Sequence, residues 1–287
     1  MTEQITPSAP VPPVPALPPL PDAPPPGAPT SPGRDRRALR AVLRWTAAVV
    51  VFAAVGSATA YGVTRMDRTD VPGLATASDG RWSYPTLTAA PLPSGSPGPF
   101  DEKNAAGAHY ADLRDLLLPV PEGATADRGL RGDDGWLRTE AFLAEYREEA
   151  DRDALRLQIV DAGLRHIAAR GWTAADGTHT RIYLLQFGTA AAVDDLITMQ
   201  LAPYDSPAYA VRDTETVGPD EEFPEAAESD DVLTSVYAET EPYGDEQVRE
   251  AYLGAGDVLA VVLHSRAGGA EKVPFQQTVA LQTRLLL

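Results

Sequence analysis

GLRHIAARGWTAADGTHTRIYLLQF, residues 163–187, decides the fold class. Two segments with strand character, Leu164 to Trp172 and Thr178 to Phe187, flank Ala175-Asp176-Gly177. Asp-Gly between such segments signals a β-hairpin, because glycine accepts the positive φ that a type I′ turn demands. With Asp176 and Gly177 as the central turn residues, His179 falls opposite Ala174 and His166 opposite Phe187. RIYLLQF then runs through Gly188 into Thr189, whose hydroxyl suits the cap of a helix with Val193, Leu196, Ile197 and Leu201 on one apolar face. The same unit of strand, small-residue turn and amphipathic helix returns near the end. DVLAVVLHS, residues 257–265, leads through Ala267-Gly268-Gly269 to a helix with Pro274 near its start and Phe275, Val279 and Leu286 on one side.

Two further strands are expected at Val232 to Glu239 and Gln247 to Leu253, with Gly254-Ala255-Gly256 as the turn after them. The six apolar residues Val258 to Leu263 are too few to cross a membrane and suit a central strand covered by helices. Upstream, Tyr110, Leu113, Leu116 and Leu117 follow Asn104 at helical spacing and end at Pro119. A second helix is expected from Thr139 through Phe142, Leu143 and Tyr146, and a third from Asp151 through Leu155 and Ile159 to Gly163. These elements predict an α+β domain over residues 104–287, with a mainly antiparallel sheet of about five strands and helices packed on it.

Outside that domain the composition changes sharply. Residues 1–33 hold 13 prolines and almost no large apolar side chain, which predicts a disordered tail with polyproline II character. Its PVPPVPALPPLP has the PxxP spacing that aromatic grooves read, although composition alone produces such matches. A basic collar follows (Arg34, Arg36, Arg37, Arg40, Arg44), then 19 residues from Trp45 to Val63 without a charge. At about 1.5 Å per residue these reach about 28 Å, close to the hydrocarbon thickness of a bilayer. Residues 34–63 therefore read as collar and transmembrane helix, and the lipid bilayer is the first expected partner. Five arginines before the span against Arg65 and Arg68 after it place the N-terminus in the cytoplasm and the C-terminal domain outside. A second reading stays open: Ala58-Thr59-Ala60 has the form of a signal-peptidase site, and Arg36-Arg37 that of a twin-arginine signal, so a domain released after Ala60 is the alternative. Residues 64–103 mix Pro, Gly, Ser and Thr without period and read as a flexible stalk.

Charge follows the same division. The first 68 residues carry 7 basic and 4 acidic groups, a net of +3, and the rest carry 17 and 37, a net of −20. A strongly acidic exported part argues against a nucleic-acid partner, since phosphate affinity needs clustered cations. The absence of cysteine removes disulfides, thiolate metal sites and a thiol nucleophile together.

The Pro-rich tail, arginine collar and apolar span, followed by HYADLRDLLLPVPEGA, GLRHIAARGWTAADGTHTRIYLLQF and a closing strand and helix, resemble single-span membrane proteins of actinomycetes with an exported α+β domain. More distantly the strand-to-helix repeat is similar to the exported sensor domains of mycobacterial serine/threonine kinases and to small envelope lipoproteins. The resemblance implies a location and a fold, and it brings no catalytic residue, metal or cofactor with it. It also lacks two things those sensor domains bring, their cysteines and a kinase domain before the span.

No HExxH, GxSxG, SxxK, Walker loop or strand-to-helix GxGxxG occurs. The four histidines, His109, His166, His179 and His264, show no metal-binding spacing, and Trp136 and Trp172 suit core or rim as well as a pocket. From Asp213 to Asp231 nine carboxylates stand with no Lys or Arg, expected to form a mobile acidic connector that takes calcium only weakly. The expected function is thus a membrane-anchored cell-envelope protein with a non-catalytic binding or sensing domain, its partner an envelope protein or cell-wall ligand. An exported hydrolase built from converging acids and a histidine is the alternative.

Overall fold

The computed structural model describes residues 36–65 and 79–287, except 204 and 242. The chain divides into two compact units, Met1–Ala75 and Thr76–Leu287. The Pro-rich tail over residues 1–33 lies outside the described residues, as do residues 66–78 of the expected stalk.

In the first unit the described residues form one helix, α1 (Arg36–Arg65). Its stretch Leu39–Tyr61, 23 residues, is long and apolar enough to cross a membrane. That stretch begins ahead of the expected Trp45 and ends near the expected Val63, taking in Arg40 and Arg44, whose long stems can carry their charge toward a headgroup region. Thr46 and Thr59 donate their hydroxyls to the carbonyls of Val42 (2.7 Å) and Val55 (2.8 Å), so neither brings an unpaired donor into an apolar environment.

The second unit is α+β. Among its described residues seven strands form one antiparallel sheet: β1 (Thr125–Asp127), β2 (His166–Thr173), β3 (His179–Gln186), β4 (Val217–Pro219), β5 (Leu233–Glu239), β6 (Glu246–Ala255) and β7 (Val258–Ala267), in the order β1-β2-β3-β7-β6-β5-β4. Five of these are the strands expected from sequence. The other two, β1 and β4, are three-residue strands at the two edges, too short to show a period of two. Helices α2 (Thr139–Leu143), α3 (Glu149–Asp161), α4 (Ala190–Asp195) and α5 (Lys272–Leu286) complete the unit.

Both faces of the sheet are covered, which explains the continuous burial of β7. Leu259, Val261 and Leu263 point to one face, where α2, α3 and α4 contribute Phe142, Ile159 and Val193. Val258, Ala260 and Val262 point to the other, where α5 contributes Phe275, Val279 and Leu286. The two strand-turn-helix units therefore send their helices to opposite faces. Thr189 caps α4 by accepting from the Ala192 amide (3.3 Å), and α4 continues as a π-helix, Leu196–Leu201, lying so close to β6 that a Cβ on Gly254 would sit 2.7 Å from Ile197 Cδ1.

The hairpin of β2 and β3 exists with a different register. Thr173 pairs with His179 and His166 with Gln186, one residue off the expectation for each histidine. The loop has three residues instead of two: Gly177 donates its amide to Ala174 O (3.0 Å), Ala174 donates to Thr178 O (2.9 Å), and Gly177 takes φ +86°. A type I turn followed by a left-handed glycine is the common three-residue hairpin, and the Asp176 carboxylate holds it by accepting from the Thr178 amide (2.9 Å).

The helix expected around Leu113 to Leu117 is absent. Leu116, Leu117 and Leu118 are all buried, whereas an α-helix would spread three consecutive side chains by about 100° each. Side chains satisfy the backbone there instead: Gln282 of α5 donates to Leu116 O (2.9 Å) and accepts from Leu118 N (3.0 Å), and Arg170 of β2 donates to Leu117 O (2.7 Å). The folded unit also begins before the expected Asn104. Within the expected stalk, Trp82 exchanges backbone hydrogen bonds with the Gln277 amide (2.8 and 2.9 Å) and stacks on His264 at 5.4 Å, while Tyr84 meets Thr278 at 3.1 Å.

Candidate functional site

Beside the β1 edge the short turn after the strand opens a charged cleft. Asp127 ends β1 and caps a 3₁₀ turn, Arg128–Arg131, by accepting from Gly129 N at 2.8 Å. Leu130 anchors that turn over Gly171 of β2, where a Cβ would meet Leu130 Cδ1 at 2.5 Å and Thr180 O at 2.9 Å. With Leu130 turned inward, Arg128 and Arg131 remain exposed, and side chains at i and i+3 of a 3₁₀ turn eclipse one another.

Arg114 forms the opposite wall. Its Nε donates to Asp112 Oδ1 (2.9 Å), its Nη1 to Asp134 O (2.8 Å), and its guanidinium lies 4.8 Å from the Trp136 ring. The guanidinium hydrogen bond holds the Asp112 carboxyl down to about 2. Arg170 is the half-buried floor, its Nη1 donating to Leu117 O and Leu118 O; burial pushes its pKa below the usual guanidinium range, against the pull of Asp115. The resulting cleft encloses about 810 Å³ and is lined by these four arginines with Asp115, Asp127, Asp134 and short apolar side chains.

A second polar group lies against the sheet. Glu145 accepts from the Tyr183 hydroxyl (2.6 Å) and faces Arg181 Nε (3.2 Å) and Arg212 Nη2 (3.3 Å). Nearby on β6, fully buried Glu250 accepts from the Tyr252 hydroxyl at 3.1 Å, and burial pushes its carboxyl up to about 8. Its Oε1 has no hydrogen-bond partner among the described residues.

The histidines do not converge. His109 is buried with Nδ1 at 2.8 Å from Asp257 Oδ1 and Nε2 at 2.9 Å from Leu286 O; a His-Asp pair has the form of a catalytic dyad, but the second nitrogen is occupied by the end of α5. His264 is fully buried against Trp82, with Nε2 at 3.0 Å from Thr180 Oγ1, and burial lowers its pKa to about 3, so it is neutral. His179 receives an N–H from Arg181 (3.0 Å) and lies 3.2 Å from Asp127; burial first, then Arg181, lowers its pKa. His166 is exposed and its ring lies tilted against Trp136, 4.5 Å between centroids. Trp172 is core.

The acidic stretch is not a mobile connector. It contains β4, Asp220 pairs with Arg249 at 3.0 Å, Glu222 pairs with Lys272, and Phe223 packs on the core. Among the described residues no group of three His, Asp or Glu side chains is placed to hold a metal ion.

No family model and no curated protein matches the chain. The site therefore rests on its own geometry. Sequence reasoning passed over Arg114, Arg128, Arg131 and Arg170, because arginines spread over 57 residues look unrelated until β1 pairs with β2. The one signal was local: RGLR places two arginines three apart between turn residues in a chain part with 37 acids.

Proposed function

We propose that this is a single-span membrane protein, N-terminus cytoplasmic, that displays Thr76–Leu287 beyond the membrane as a non-catalytic binding or sensing domain. The observation that carries the binding reading is the cleft beside β1. Its lining offers guanidinium donors and carboxylate acceptors in a concave surface. The arginine bias before α1 supports the orientation, and the resemblance to exported sensor domains points the same way.

The full chain in detergent, exposed to envelope extract, tests this reading. Wild type should retain envelope material that a chain with Arg128→Gln and Arg131→Gln does not. Equal retention by both would remove the cleft as the binding site.

A further inference from the structure

We propose that the cleft beside β1 binds a phosphate group, as a monoester carried by a soluble ligand; the proposal rests on the reading of that cleft as a binding site. Arg128 and Arg131 leave the same side of one 3₁₀ turn, and neither side chain has a hydrogen bond or ion pair among the described residues. Arg170 stands half-buried on the floor with no carboxylate within ion-pair distance among the described residues, its Nη1 spent on two backbone carbonyls and Asp115 acting on it from farther away.

Donor geometry selects the ligand. Four arginines stand against Asp115, Asp127 and Asp134 in the lining, one net positive charge, and with Arg114 bound to Asp112 and Arg170 to the carbonyls of Leu117 and Leu118, the guanidinium forks of Arg128 and Arg131 are the two left open toward the cleft. A carboxylate brings one negative charge and two oxygens. A phosphate monoester brings about −1.5 to −2 and three acceptor oxygens, and guanidinium forks bind it in pairs. The overall acidity of the unit disfavours approach to an anionic lipid surface, which points to a soluble phosphate and not a lipid headgroup.

Titration of the detergent-solubilised full chain with inorganic phosphate, followed by calorimetry in phosphate-free buffer at low salt, is the test. Saturable binding is expected at roughly 0.1–1 mM, weakening as salt rises. The double variant Arg128→Gln, Arg131→Gln should bind about ten-fold or more weakly, since two charge-assisted contacts are lost. Both side chains are exposed and unpaired, so its melting should match wild type. Arg284→Gln, on the exposed side of α5, should change nothing. No saturation in wild type, or equal affinity in the double variant, overturns the proposal. Retention on phosphatidylglycerol vesicles with no uptake of inorganic phosphate would overturn the soluble source. If phosphate fails while retention of envelope material still depends on Arg128 and Arg131, the ligand class falls and the binding reading stands; if that retention is absent too, both fall.

Discussion

Glu250 shows how strongly one buried side chain can tie stability to pH. Burial is the largest cause of its raised pKa, Glu239 adds to it, and the Tyr252 hydroxyl partly opposes it. The folded protein keeps this proton up to about pH 8, whereas an unfolded glutamate releases it near 4.5. Its contribution is therefore complete below about 4.5 and is lost as pH rises toward 8, at on the order of 1 kcal/mol per pH unit. Glu250→Gln keeps the shape without the ionisation. Thermal melts should show the variant gaining on wild type between pH 5 and pH 8, and parallel curves would place the titrating group elsewhere. His109 makes the opposite case, a polar side chain whose ring nitrogens are both used. His109→Ala leaves buried Asp257 and the Leu286 carbonyl short of a donor, which should cost about 2–4 kcal/mol in urea unfolding. A loss below about 0.5 kcal/mol would mean that water replaces the ring.

At the scale of elements, packing overrode local pattern where the two disagreed. Leu113 to Leu117 have helical spacing, but Gln282 and Arg170 reach their carbonyls and all three consecutive leucines find the core, so the segment wraps over the sheet instead. The segment around Trp82 behaves likewise: its rings cover His264 and Trp172, with Trp82 6.3 Å from the Trp172 ring. A fragment starting at Asn104 should therefore be less stable in urea than one starting at Thr76, and Trp82→Ala in the longer fragment should lose about 1–3 kcal/mol. Equal stability of the two fragments would make the Trp82 segment dispensable. For β7, Val261→Asp buries an unpaired carboxylate between the sheet and the helices α2 to α4, a cost of several kcal/mol, on the order of the whole stability of a domain. Cooperative unfolding should disappear, as read by circular dichroism.

On the scale of the whole molecule the proposed topology, with Thr76–Leu287 beyond the membrane, can be tested directly. The chain has no cysteine, so Ala226→Cys, on an exposed turn, supplies a single label site. A membrane-impermeant maleimide should modify it in intact cells. Modification only after lysis would reverse the orientation. A mature N-terminus at Tyr61 would show instead that the apolar stretch is removed, consistent with Ala58-Thr59-Ala60 as a cleavage site.

Read alone, the sequence determined the apolar helix, the α+β class, the five long strands and the helices α2 to α5, because each rests on a local period or a turn residue that neighbouring positions carry together. Tertiary structure alone decided the edge strands β1 and β4, the register of the β2–β3 hairpin, the wrapping of Trp82 and of Leu116 to Leu118, and the arginine cleft. Three-residue strands have no period to read, and a loop of two or three residues differs only in which carbonyl the glycine amide finds. The cleft draws Arg114, Arg128, Arg131 and Arg170 from a turn, a 3₁₀ turn and a strand. Their proximity is set by pairing across the sheet, a long-range contact that no window of sequence contains.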